Sequence, residues 1–273
     1  MQLRQPRSLD RDHYERHFST LREEFDRNGC VMVQSFLTLA EVESLRTNVD
    51  RVVEAVLLGG HKEAVVKIGD QLRSVENLLV DTYFRELAGA PKFLGLGDAL
   101  LGKRVVATMP EEPEGQFGSQ GYIDMPPGMG LVTPPHQDLR YQNFVPTEAL
   151  GVWVALGETS LDNGGMRYVR GSHRRGLRRH EIDKQQTGFS MKVADFGASD
   201  MSEEVSFVMR PGDAVAHHGL TIHRSNGNHS TRNRPAFRMF MRWEGCTRDE
   251  EAHGWYQRSL EAHRAARGDR ERP

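Results

Sequence analysis

The sequence predicts an α+β protein of mainly β character, and three observations carry that reading. Helix-patterned segments fill most of the first hundred residues. From Lys103 onward the chain turns to short β-rich runs, at 105–109, 150–156, 166–169, 205–209, 214–217, 221–224 and 235–243. Strong turn signals, Asp162-Asn163-Gly164-Gly165 and Pro211-Gly212-Asp213, separate several of them. Helices first and many short strands afterwards argue for a sandwich or barrel with a helical layer outside it.

Local pattern sets the order of the elements. Residues 10–28 carry Phe18, Leu21 and Phe25 at helical spacing, and Gly29 is a natural stop before the strand-like Cys30-Val31-Met32-Val33. Thr38-x-x-Glu41 is a capping-box pattern. Behind it Leu39, Val42, Leu45, Val49, Val52 and Val56 mark one face of a long helix that should pack on a sheet. Val65-Val66-Lys67-Ile68 before Gly69-Asp70 suits a hairpin. Two further helices are expected at 81–88 and 91–101. The Gly/Pro-rich stretch 110–130 is too long for a tight turn, and loops of that length in compact domains are often functional. No repeat is visible, so residues 1–265 are expected to form one domain, with 266–273 a disordered tail.

The totals narrow the function classes. Acidic and basic residues nearly cancel, at a formal net charge of −2, so nothing favours nucleic acid or a membrane surface as a partner. Cys30 and Cys246 stand far apart and form neither a zinc-ribbon pattern nor a disulfide framework. The first residues lack the apolar core of a signal peptide, and no apolar run approaches transmembrane length. The expectation is a reduced, cytoplasmic protein.

One segment carries chemistry: Pro134-Pro135-His136-Gln137-Asp138-Leu139-Arg140-Tyr141. In an extended chain, positions i and i+2 share a face, so His136 and Asp138 would aim at one point with Gln137 turned away. A second histidine from elsewhere would complete two imidazoles and one carboxylate, the set used by non-haem Fe(II) oxygenases. His217, His218 and His223 compete for that place. Arg232, Arg234 and Arg238 follow, and a buried arginine among them would need an anionic partner such as a dicarboxylate.

The ordered motifs now become specific. His136-Gln137-Asp138-Leu139-Arg140-Tyr141 resembles the metal-binding motif of the phytanoyl-CoA dioxygenase (PhyH) family. Trp153-Val154-Ala155-Leu156 is similar to the strand after it, where the family has a tryptophan beside its cosubstrate. Asp162-Asn163-Gly164-Gly165 through Val169-Arg170-Gly171-Ser172-His173 resembles the family's "NG…PGSH" segment, with Arg170 in place of the usual proline. Pro211-Gly212-Asp213 through His223-x-Ser225 to Arg234 resembles its distal half. The likeness spans roughly residues 20–245.

That resemblance implies a double-stranded β-helix (a jelly roll of cupin type) flanked by N-terminal helices. It implies Fe(II) held by His136, Asp138 and His223, and 2-oxoglutarate as cosubstrate. The family's spacing of eleven residues selects His223 and Arg234, and Arg234 with Ser225 would hold the far carboxylate beside Trp153. It implies oxidation of a small-molecule substrate with O2. Because Asp138 is a carboxylate, no ligand is missing for a halide, and hydroxylation is expected over halogenation, with ring formation as another outcome. Many small bacterial members tailor secondary metabolites, as in antibiotic biosynthesis, and an acyl-CoA ester is a further substrate class. Competing classes are a redox-inactive cupin-type isomerase or hydrolase, which would not need Arg234, and a non-catalytic binding jelly roll. Substrate selection is expected from the 110–130 loop, Tyr141–Phe144 and the 174–200 insert, with Gln116, Tyr122, Arg140 and Tyr141 as candidate contacts.

Overall fold

The computed structural model describes residues 11–59, 65–68, 71–76, 78, 81–107, 120–130, 132–183 and 191–266. The N-terminal part runs α1 (Arg11–Asn28), β1 (Cys30–Val33), α2 (Leu39–Gly59), β2 (Val65–Ile68), β3 (Gln71–Glu76), α3 (Thr82–Ala88) and α4 (Pro91–Leu101). The middle runs β4 (Val105–Ala107), β5 (Gln120–Ile123), β6 (Thr133–His136), α5 (Leu139–Gln142), β7 (Phe144–Val145), β8 (Ala149–Ala155) and β9 (Met166–Val169). Then come β10 (His180–Ile182), β11 (Met191–Val193), α6 (Ala198–Ser202), β12 (Glu204–Ser206), β13 (Ala214–His218) and β14 (His223–Ser225). The chain continues through β15 (Ala236–Trp243), β16 (Thr247–Arg248) and α7 (Glu250–Ala266).

Two antiparallel sheets organise these strands. The larger has the order β1-β13-β8-β15-β5-β3-β2, with β4 also on β15, and the smaller the order β12-β9-β14-β6. Two-residue alternation gives the larger sheet two different faces. On β8, β13 and β15, Leu150, Val152, Val154, Ala214, Ala216, Phe237, Met239 and Met241 point one way. They pack against Leu21 and Phe25 of α1, Val42, Leu45, Val49 and Val52 of α2, and Phe93, Leu96 and Leu100 of α4. The alternate residues Trp153, Ala155, Val215 and Ala236 meet Tyr168 of the smaller sheet. β8 is buried along its whole length because both faces are covered.

Local chemistry explains the helix ends. The Glu41 carboxylate accepts the Thr38 N–H at 2.7 Å, and Thr38 Oγ1 accepts the Glu41 N–H at 3.2 Å, closing the expected capping box. Gly29 stops α1 at φ 77°, and a Cβ there would lie 2.4 Å from His173 Nδ1 and 2.5 Å from Thr221 Oγ1. Only glycine meets both demands.

Several expectations are corrected. Leu39 is exposed, and the buried stripe of α2 begins at Val42. The 110–130 stretch contains β5, which pairs with both β15 and β3. The 221–224 run becomes β14 two residues later, because Thr221 makes its bonds elsewhere: its Oγ1 donates to Gly29 O and its N–H to His218 O. The C-terminal helix α7 was not anticipated, and it carries the chain through Ala266; residues 267–273, the rest of the expected tail, lie outside the described residues. Among the described residues no helix is long and apolar enough to cross a membrane.

Candidate metal centre

The site forms where β6 ends and β14 begins. These two strands are antiparallel neighbours, and His136 and His223 stand directly opposite each other in their register. Sheet pairing therefore brings the two histidines together across a long stretch of chain. Their rings lie 4.1 Å apart between centroids.

Each imidazole is locked by the same device. His136 Nδ1 is 2.8 Å from Pro134 O, and His223 Nδ1 is 3.0 Å from Thr221 O. A carbonyl oxygen only accepts, so both Nδ1 atoms carry the proton and both Nε2 lone pairs face the site. Tyr168, opposite His223 in the β14–β9 register, stacks on its ring with centroids 5.9 Å apart.

Asp138 completes the set by a route different from the extended one expected. The strand ends at His136, and Asp138 has helical backbone angles, φ −59° and ψ −35°, at the start of α5. The turn, rather than a shared strand face, aims the carboxylate. Its Oδ1 is 3.5 Å from His136 Nε2 and 3.6 Å from His223 Nε2. The three donor atoms all lie within 4.8 Å of one another. Bonds of about 2.1 Å to one ion place neighbouring donors about 3 Å apart, so a small contraction closes this set on a metal. Gln137 does turn away, and it is buried. Its amide donates to Leu220 O at 2.7 Å and to Gly176 O at 3.0 Å, and its Oε1 accepts the Arg178 N–H at 2.8 Å. It ties the ligand loop to two other segments, a role that its place between the ligands did not announce.

The electrostatics suit a cation. Burial works against the Asp138 charge, but the carboxyl is held well below its usual range, with the His217 N–H on Oδ2 among the groups that favour the ionised form. Burial, reinforced by His136, pushes the His223 pKa well below its ordinary value, so this ring is neutral. Neutral nitrogens and an ionised carboxylate are the forms that bind metal.

The competing histidines separate by strand alternation. His217 faces the site, with Nε2 2.9 Å from Asp138 Oδ2. His218 faces the other way, where its Nδ1 accepts the Leu220 N–H at 3.0 Å and its ring lies 5.5 Å from His173.

The three arginines separate as well. Arg232 is on the surface, 2.9 Å from Glu158. Arg238 projects from the inner face of β15, its guanidinium against Gly121. Arg234 is 1% exposed, and its guanidinium carbon lies 5.2 Å from the centre of the Trp153 ring. Ser225, two residues beyond His223, is equally buried, and its Oγ has no hydrogen-bond partner among the described residues. A hydroxyl left so is costly unless a ligand takes it up. A guanidinium and a hydroxyl are each groups that a carboxylate satisfies.

Of the candidate substrate contacts, Tyr141 lies beside the site. Its ring is 5.7 Å from that of His136, and its hydroxyl donates to Met191 O at 3.0 Å. Arg140 stacks on Trp255 of α7 at 4.2 Å. Tyr122 packs instead against the outer-face core. Gln116 and residues 184–190 of the insert lie outside the described residues.

The model of the phytanoyl-CoA dioxygenase (PhyH) family matches residues 25–236, most of the chain. The chain belongs to this family. Similarity to single members of the phytanoyl-CoA dioxygenase family agrees. "Phytanoyl-CoA dioxygenase 1" of Oryza sativa subsp. japonica is 33% identical over 141 residues, covering 51% of this chain and 48% of that protein. The chain thus spans about half the length of that relative. The 1-deoxypentalenic acid 11-beta-hydroxylase of Streptomyces exfoliatus is 26% identical over 232 residues, covering 80% of this chain and 77% of that one. Among solved structures, the epimerase SnoN in complex with Fe3+, alpha ketoglutarate and nogalamycin RO shares the fold, with a TM-score of 0.63 and 21% identity. That match covers 85% of this chain and 86% of the other.

Proposed function

We propose that this protein is a non-haem Fe(II)- and 2-oxoglutarate-dependent dioxygenase that oxidises a small molecule, in a double-stranded β-helix made of its two facing sheets. The observation that carries the reading is the convergence of His136 Nε2, Asp138 Oδ1 and His223 Nε2, with both Nδ1 atoms tied to backbone carbonyls. Two imidazoles and one carboxylate leave coordination positions for a cosubstrate and O2. Fe(II), when bound with 2-oxoglutarate, supplies the oxidising chemistry, in which the cosubstrate is converted to succinate and CO2.

The chain's own residues bind, orient and shield. Asp138 offsets part of the metal charge. Arg234 and Ser225 take the distal carboxylate of 2-oxoglutarate, and Trp153 walls that end and excludes water from it. The buried guanidinium and the unsatisfied hydroxyl favour this reading over a redox-inactive cupin-type enzyme, which has no use for either. A substrate from secondary metabolism is supported by the likeness to the Streptomyces hydroxylase and to the structure holding nogalamycin RO. Two buried free thiols, Cys30 and Cys246, fit a reducing compartment such as the cytoplasm.

The test is spectroscopic. Fe(II) and 2-oxoglutarate added without oxygen should give a visible charge-transfer band, and Arg234→Ala should shift its formation to higher 2-oxoglutarate concentration. Absence of the band in the wild-type protein, or an unchanged titration in Arg234→Ala, would contradict the proposal.

A further inference from the structure

We infer that His217 is a positioning residue that makes Asp138 a one-oxygen ligand and so keeps a coordination position open. This inference rests on the reading of His136, Asp138 and His223 as a metal centre. The two oxygens of Asp138 have different surroundings. Oδ1 faces the Nε2 atoms of His136 and His223, at 3.5 and 3.6 Å, whereas Oδ2 is 2.9 Å from His217 Nε2. An ionised carboxylate only accepts, so the imidazole donates through Nε2. An oxygen engaged by that N–H is withheld from the metal, and the carboxylate cannot close on the ion with both atoms. For a site that must also take a chelating cosubstrate and O2, one further open position matters.

The surroundings hold His217 in this pose. Its backbone stands opposite Gly151 in the β13–β8 register. A Cβ on Gly151 would lie 2.6 Å from His217 Cε1, 2.8 Å from its Nε2 and 3.4 Å from Asp138 Oδ2. Glycine is therefore the floor on which the pair rests. Tyr168 and His223 bound the ring on other sides, with centroids 5.5 and 4.6 Å away. His217 is 5% exposed, and its Nδ1 has no hydrogen-bond partner among the described residues. A ring serving only to fill space would do so better as phenylalanine, which leaves no buried nitrogen unsatisfied. The polar ring is explained by what Nε2 does.

The experiment uses the metal-free protein and Co(II) as a redox-stable probe, titrated through its visible absorption, with thermal unfolding recorded for each variant. His217→Phe should weaken Co(II) binding by about 10- to 100-fold, the usual effect of losing a residue that orients a ligand. His217→Gln, whose amide N–H reaches nearly the same point, should recover most of that affinity. Gly151→Ala keeps the imidazole but displaces it, and should weaken binding as His217→Phe does. A folded His217→Phe that binds Co(II) like wild type overturns the inference. So does Gly151→Ala with unchanged affinity, which decides the matter if His217→Phe does not fold. Wild-type protein that binds no Co(II) would overturn the metal centre itself, an outcome distinct from both.

Discussion

The two faces of the larger sheet are built from the same three strands and do opposite work. Outward, β8, β13 and β15 present Val152, Val154, Ala216, Phe237 and Met239 to the helices, without a charged group among them. Inward, alternate positions on the same strands carry Trp153, His217 and Arg238, with Gly151 left bare beneath the Asp138 carboxylate. Burial of apolar surface, at roughly 25 cal/mol per Å², makes the outer face the source of stability. The inner face holds the polar groups that surround the metal set. Stability and function are thus separated by one residue of register, and a substitution's effect should depend on which way it points.

The largest effect should come from the metal set. Asp138→Asn keeps the volume and removes the charge, and turnover should fall to background while the unfolding temperature of the metal-free protein changes little. A drop in melting temperature as large as that of an outer-face truncation would erase the distinction between the faces. On the outer side, Phe93 packs edge-on to Phe36 at 5.0 Å and to Phe237 at 6.0 Å between centroids. Phe93→Ala should cost about 3–5 kcal/mol in denaturant unfolding, yet leave the activity per folded molecule near wild type.

Loss of Arg234 sharpens the comparison within the inner face. A hydrogen bond to a charged group contributes about 1.5–3 kcal/mol, so Arg234→Ala should raise the 2-oxoglutarate requirement by roughly 10- to 100-fold. Steady-state rates against cosubstrate concentration would show it, with Fe(II) affinity little changed.

How far the chain could be read before its structure divides along similar lines. The outer helices were legible because their signals are local: the α2 stripe from Val42 to Val52 and the capping box of Thr38 and Glu41. Residue identity and motif order also marked His136, Asp138 and His223, whose donor atoms lie within 4.8 Å of one another, and Arg234 and Trp153, whose guanidinium and ring lie 5.2 Å apart; Ser225 was marked by its place two residues beyond His223. What escaped depends on contacts between distant segments. β5 contains Gly121 and a single strongly β-forming pair, and it exists by pairing with β15 and β3. β7 and β16, two residues each, exist only as each other's partner. The helical turn that aims Asp138 and the choice of His217 over His218 as its partner depend on register, which composition does not encode.

A separate expected effect is on pH dependence. His218 and His180 are both pushed down to about 4, chiefly by burial. Each ring also accepts a backbone N–H, from Leu220 in one case and Gln137 in the other, at the nitrogen a second proton would need. The unfolded chain takes up those protons near its ordinary value of about 6.5, before the folded one does. Their contribution to stability should therefore be complete above about pH 6.5 and be lost progressively as the pH falls towards 4. Unfolding free energies measured from pH 7.5 to 4.5 check this, and replacing His218 by Gln should flatten part of the slope.

In the proposed site His136, Asp138 and His223 hold the metal, and Arg234 holds the far end of the cosubstrate bound to it. A crystal structure of the protein grown without oxygen, with Fe(II) and 2-oxoglutarate, tests it most directly. One metal ion is expected within about 2.2 Å of His136 Nε2, Asp138 Oδ1 and His223 Nε2. The distal carboxylate of 2-oxoglutarate is expected on Arg234 and Ser225 beside Trp153. A metal bound elsewhere, or a cosubstrate whose carboxylate avoids Arg234, would contradict it.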